Sequence, residues 1–133
     1  MKRVFADTAF FICLGSADDA FHQPAVDLLQ RFHDRIMTTE YVLVELGNWF
    51  SKAEHRQSFV TLMDQLPLLP QLAVVPASHD LFDRGVDLFR RRHDKDWSMT
   101  DCISFALMED EDMTQALTTD HHFEQAGFTI LLK

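Results

Sequence analysis

Asp7, Glu45, Asp101 and Asp120 are the side chains whose types and placement carry chemistry in this sequence. Asp7 and Asp120 each follow an apolar run that reads as a strand, and each precedes a helix. Asp101 falls in the first turn of a helix begun by Ser98, and Glu45 sits one turn into another helix. Four carboxylates at one edge of a sheet repel and raise each other's pKa values. Such a group persists where cations neutralise it, and hard oxygen donors suit Mg²⁺ or Mn²⁺. No thiolate or paired His accompanies them, so zinc is not implied. Thr8 and Thr118 place hydroxyls at the same edge, either to hold a water or phosphate or to serve as turn and cap residues.

Each acid also has a plainer explanation. Asp7 and Asp120 read as helix N-caps. Ser98-x-x-Asp101 reads as a capping box. Glu45 lies inside its helix and shares a face with Tyr41, Asn48 and Lys52, so it reads as a solvated Glu paired with Lys52. Only the four taken together point to a metal site.

The elements that must position them alternate along the chain. Strands are expected at residues 2–6, 35–39, 72–76, 116–119 and 128–132. Helices are expected at 8–14, ended by Gly15, and at 20–34, 41–52, 58–66, 78–93 and 99–109, with a short one closed by Gly127. The apolar face of 41–52 is read as Val42, Leu43, Leu46, Trp49 and Phe50, and that of 78–93 as Leu81, Phe82, Val86 and Phe89. Short apolar strands separated by helices imply a parallel sheet covered on both faces. Ligands in such sheets bind beyond the strand carboxyl ends, where the topology reverses.

The length of 133 residues fits one domain, residues 1–133. The formal net charge of -9 argues against a nucleic-acid partner unless bound cations invert the sign locally. Cys13 and Cys102 form no disulfide or zinc pattern. Asp7 interrupts the N-terminal apolar stretch, so no signal peptide is expected, and no apolar run is long enough to span a bilayer. A cytoplasmic setting is the expectation.

The local sequences around the acids resemble the PIN domain family. Phe5-Ala6-Asp7-Thr8 is similar to its first motif, and Thr38-Thr39-x-Tyr41-Val42-Leu43-x-Glu45-Leu46 to its second. Asp96-Trp97-Ser98-x-Thr100-Asp101-Cys102-x-Ser104-Phe105 resembles the third, and Ala116-Leu117-Thr118-Thr119-Asp120-x-x-Phe123 the fourth. The resemblance covers essentially the whole chain and extends to single-domain VapC-type toxins. It implies a three-layer α/β/α sandwich around a parallel sheet of about five strands. It further implies an Mg²⁺- or Mn²⁺-dependent ribonuclease, the toxin of a type II toxin–antitoxin pair, with Asp7, Glu45, Asp101 and Asp120 carrying the metal. Asp96 is either a fifth acid or a surface acid beside Lys95. An RNA substrate, a small antitoxin and a homodimer are the partners implied. The alternative is a PIN-scaffold module that binds RNA or protein without efficient cleavage. A haloacid-dehalogenase-type phosphatase wants an acid two positions after Asp7, where Ala9 stands. A receiver domain wants a phosphorylatable Asp after the third strand, where Ala77-Ser78 stands.

Other polar features favour bland readings. The run Arg90-Arg91-Arg92-His93 complements a helix C-terminus as readily as it tracks an RNA backbone. His121 and His122 are adjacent and point different ways on a helix, so they make no two-His site; following Asp120, they read either as an ordinary first-turn pair or as placing one ring near the pocket rim. Glu124 reads as a solvated helix residue, and Cys102 as a small buried hydrophobe.

Overall fold

The computed structural model describes residues 3–32 and 35–133. Lys2 of the expected first strand, and His33 and Asp34 of the expected second helix, lie outside the described residues. Five strands form one sheet: β1 (Val4–Ala6), β2 (Ile36–Thr39), β3 (Leu72–Val75), β4 (Gln115–Leu117) and β5 (Thr129–Ile130). Their order is β3-β2-β1-β4-β5 and every pair is parallel. The chain runs outward on one side of β1 and then crosses to its other side. The topology therefore reverses between β1 and β4, and a crevice opens at their carboxyl ends.

Among the described residues seven α-helices flank the sheet: α1 (Thr8–Gly15), α2 (His22–Arg31), α3 (Glu40–Trp49), α4 (Arg56–Gln65), α5 (His79–Arg91), α6 (Met99–Asp110) and α7 (His121–Gln125). The result is the three-layer α/β/α sandwich expected from the pattern. β1 is wholly buried, with Val4, Phe5 and Ala6 at 0% exposure, as befits a central strand packed on both faces. In the core Phe5 stacks on Phe123, and Phe105 meets both Phe123 and Trp97 edge-on.

Helix starts follow capping chemistry. The Thr39 hydroxyl accepts the Val42 amide at the head of α3, and the Ser78 hydroxyl accepts the Leu81 amide at the head of α5. α4 begins two residues before the expected 58–66 and is preceded by a 3₁₀ turn at Ala53–His55. Pro67 does not stop the chain dead but sits within a further 3₁₀ turn, Leu66–Leu68. Pro at an early helical position forfeits only an amide that lacks a partner anyway. The last strand is two residues rather than the five expected at 128–132.

The apolar face of α5 differs from the expected one. Leu81 and Gly85 are buried, whereas Phe82 and Phe89 are about half exposed. The reason is Gly85, which brings α5 against α6 and does not read as an apolar anchor. A Cβ built at Gly85 falls 2.3 Å from Ile103 Cγ1 and 3.2 Å from the Ile103 Cα. Cγ1 is the stiff near end of a β-branched side chain, and backbone stands behind it. Gly85→Ala should therefore destabilise the protein by about 1–3 kcal/mol through overpacking, despite a helix-propensity gain of about 1 kcal/mol. Urea denaturation checks this, and a stabilised variant would contradict the close packing.

Candidate active site

The sequence-predicted acids converge at the crevice between β1 and β4. Asp7 directly follows β1, and its amide donates to the Leu117 carbonyl at the end of β4. The Thr38 hydroxyl at the end of β2 donates to the Ala6 carbonyl, so three strand ends are tied together beneath the acids. Asp7, Glu45 and Asp120 open onto a single cleft of about 510 Å³. Asp101 is buried at 6% exposure, close enough for its charge to act on Asp7.

The capping alternatives separate the acids. Asp101 does form the expected capping box: the Ser98 hydroxyl accepts the Asp101 amide at 3.0 Å, and Asp101 Oδ2 accepts the Ser98 amide at 3.1 Å. Asp120 is likewise an N-cap, its Oδ1 accepting the His122 amide at 2.9 Å. Asp7 precedes α1 in extended backbone but makes no side-chain capping hydrogen bond. It is only 4% exposed, and its Oδ2 accepts from the Thr118 hydroxyl at 3.0 Å. That hydroxyl in turn accepts the Asp120 amide at 3.0 Å. Thr118 thus links the acid after β1 to the acid after β4. Glu45 is half-buried and accepts from the Thr8 hydroxyl. Its partner comes from α1 across the cleft and not from Lys52.

Burial pushes the Asp7 carboxyl up to about 7 from 3.8. The Thr8 amide and the Thr118 hydroxyl oppose that shift, while the charges on Asp101 and Glu45 add to it. Asp101 is also raised, by burial first, and by the charges on Asp120 and Glu45. The mutual repulsion expected of four converging acids is thus present at the two most buried of them.

His122 joins the group. Its Nδ1 lies 3.3 Å from Asp101 Oδ2 and 3.4 Å from Asp120 Oδ1. One ligand atom each from Asp101, Asp120 and His122 lie within 4.8 Å of one another. The donor set fits a divalent cation, with carboxylate oxygens dominant and one imidazole nitrogen. The sequence favours an ordinary first-turn pair at His121-His122 over a histidine at the pocket rim, and the structure brings His122 to the acids. The signal for His122 is the spacing Asp120-x-His122: an N-cap carboxylate bonds the amide two residues on, which brings that residue's side chain alongside. His121 is mostly exposed, and its Nδ1 lies 3.9 Å from Asp120 Oδ1 without reaching Asp101.

A PIN domain profile matches residues 4–129. The chain belongs to the PIN domain family. Among curated proteins, it is 29% identical over 126 residues to the "23S rRNA-specific endonuclease VapC20" of Mycobacterium tuberculosis, covering 94% of this chain and 95% of that protein. The crystal structure of Mycobacterium tuberculosis VapC20, described as a sarcin-ricin loop cleaving toxin, superposes with a TM-score of 0.84. It is 27% identical and covers 95% of this chain and 96% of that one. FitAcB from Neisseria gonorrhoeae, 14% identical over 96% of both chains, matches with a TM-score of 0.67 and shares the fold.

Other polar features lie around this PIN site. Asp96 is exposed ahead of α6 and does not line the acidic cleft, and Glu124 is exposed on α7. Within the basic run, Arg91 pairs with Asp87 at 3.0 Å and Arg92 with Asp94 at 3.1 Å. Arg92 also lies over the Trp97 ring, 4.9 Å from its centroid. Cys102 is 1% exposed, and burial together with the Asp101 charge pushes its thiol up to about 11. It is no nucleophile at neutral pH. Trp49, expected in the core, is 63% exposed and forms part of the cleft wall. No helix among the described residues is long and apolar enough to cross a membrane.

Proposed function

We propose that this PIN domain is a metal-dependent endoribonuclease that hydrolyses RNA phosphodiester bonds and acts as the toxin of a type II toxin–antitoxin pair. The observation that carries the reading is Asp7. It is a buried carboxylate that makes no side-chain capping bond to α1, stands among three other acids and has its carboxyl pushed up to about 7 by burial. An acid so placed has a ligand's position and no structural duty that explains it. The likeness to VapC20 along nearly the whole of both chains supports the same reading.

In this reading Asp7, Glu45, Asp101 and Asp120 hold Mg²⁺ or Mn²⁺ directly or through water, with His122 beside Asp101 and Asp120. The metal would polarise the scissile phosphate and lower the pKa of an attacking water. The chain's own part is positioning. Thr118 fixes Asp7 relative to Asp120, and Thr8 fixes Glu45. The Ser98 box holds Asp101 in register. Preorganised groups of this kind contribute to catalysis because they need not reorient as charge develops. The partners proposed are RNA, a small antitoxin and a second copy of the chain, in a cytoplasmic setting.

The test is incubation of purified, antitoxin-free protein with ribosomal RNA in Mg²⁺ or Mn²⁺, followed by sequencing of fragment ends. Cleavage at a few defined positions, lost in EDTA and restored by metal, is the expected result. Cleavage indifferent to EDTA would overturn the metal reading.

A further inference from the structure

The acids occupy only part of their cleft. The rest is a wall of different chemistry, built from α3 and the start of α1. Glu45, Asn48 and Trp49 stand at positions i, i+3 and i+4 of α3, and so share one face. All three line the cleft. Ala9 and Ile12 of α1 line the same cleft. Trp49 is 63% exposed, whereas the other tryptophan, Trp97, is 5% exposed and packed against Phe105. A large aromatic ring left in solvent, one turn from Glu45, serves no core.

We infer that Trp49, together with Ala9, Ile12 and Asn48 of the same cleft, forms a subsite for an unstacked nucleobase next to the scissile phosphate. The inference rests on the ribonuclease reading above and adds the part of the substrate that this wall takes. Three observations select a base over other occupants. The cleft of about 510 Å³ is continuous with the acids, so whatever enters it adjoins the phosphate chemistry. Its lining carries carboxylates and no Lys or Arg, and the chain has a net charge of -9. Gripping the phosphate backbone with Lys or Arg is therefore not the device within this cleft. Stacking a base on an aromatic face needs no positive charge and tolerates any base, and RNA loops present their bases unstacked for this purpose. Asn48 then offers a carboxamide donor and acceptor to the base edge.

The experiment has two arms. In the first, Trp emission is titrated with single-stranded hexaadenylate in EDTA, which stops hydrolysis, with salt to screen the acidic cleft. The wild type should show saturable quenching, and Trp49→Phe, which retains only Trp97, should show none. In the second, a fluorogenic single-stranded RNA is cleaved in Mn²⁺. Trp49→Ala should raise KM about tenfold, the scale of one lost base stack, with kcat changed far less. Trp49→Phe, which keeps an aromatic face, should stay near the wild-type KM. Because Trp49 is exposed, both variants should fold, and circular dichroism checks this. Quenching without cleavage would leave the base subsite standing and sink the ribonuclease reading. Cleavage with an unchanged KM in Trp49→Ala and no quenching would do the reverse. A change in sedimenting mass in Trp49→Ala, with both RNA readouts unmoved, would assign the wall to a protein interface and overturn the inference.

Discussion

Replacing Asp7 with Asn should abolish RNA cleavage and at the same time make the metal-free protein more stable at pH 8. The sign follows from the direction of the Asp7 shift. Its carboxyl titrates near 7 in the folded chain and near 3.8 in the unfolded one. Below pH 3.8 both states carry the proton, and Asp7 costs nothing relative to Asn. Between about pH 4 and 7 the folded state binds more protons than the unfolded state, so stability falls as pH rises. Above 7 the full cost is present. A shift from 3.8 to about 7 corresponds to roughly 4 kcal/mol at 1.36 kcal/mol per unit. Asn keeps a carbonyl oxygen to accept the Thr118 hydroxyl and carries no charge, so it escapes that cost.

In EDTA at pH 8, Asp7→Asn should melt on the order of 10 °C above wild type, and the gap should close by pH 4. Adding Mn²⁺ should stabilise the wild type, because a ligand that binds only the folded state raises its apparent stability. The same addition should leave Asp7→Asn nearly unmoved. Thermal melts across pH, with and without metal, read all of this. A wild type whose melting temperature tracked that of Asp7→Asn from pH 4 to 8 would show that Asp7 bears no buried-charge cost. The main structural support for the metal site would then be gone.

The sequence carried much of the fold because its signals are local and redundant. β1 and β2 are short apolar runs, and Thr39, Ser78 and Ser98 stand where helix caps belong. The placement of Asp7 and Asp120 at strand carboxyl ends was legible, but the strand order was not, and it is the order β3-β2-β1-β4-β5 that sets Asp7 beside Asp120. Other features were illegible for definite reasons. An Asp between strand and helix satisfies the requirements of a cap and of a ligand equally, so Asp7 and Asp120 looked alike. Only the hydrogen bonds distinguish them: Asp120 caps α7, and Asp7 makes no side-chain capping bond to α1. Trp49 fell on the apolar stripe of α3, but Val42, Leu46 and Phe50 already fill the core side of that helix. Trp49 is rotated from them toward the face of Glu45. Phe82 and Phe89 were misplaced by Gly85, since a close approach leaves no hydrophobic mark in the sequence. His122 was not singled out, because adjacency to Asp120 allowed one of the pair at the rim without saying which; the structure sets His122 against both Asp101 and Asp120.

Asp101 offers the test that separates a cap from a ligand on a single residue. Asp101→Asn and Asp101→Ala should both lose activity, by about 10²–10³ in kcat if the charge contributes as other preorganised site groups do. Their stabilities should diverge. Asn retains an oxygen to accept the Ser98 amide, so the capping box survives in part. It also removes a buried charge whose pKa burial has raised, which favours the folded state at neutral pH in the absence of metal. Ala removes both halves of the side chain's work and should cost about 1 kcal/mol of capping energy. Paired urea denaturation and cleavage assays in Mn²⁺ resolve the two roles. If the cap were the whole role of Asp101, Asp101→Asn would stay within tenfold of wild-type activity, and only Asp101→Ala would suffer. If the residue is a ligand held in place by its own cap, the two variants differ in stability and agree in their loss of catalysis. The geometry favours this second outcome: the oxygen that accepts the Ser98 amide is also the one 3.3 Å from His122. The helix start that fixes Asp101 is thereby part of the site's construction, because a carboxylate tethered to its own backbone cannot swing away from its like-charged neighbours.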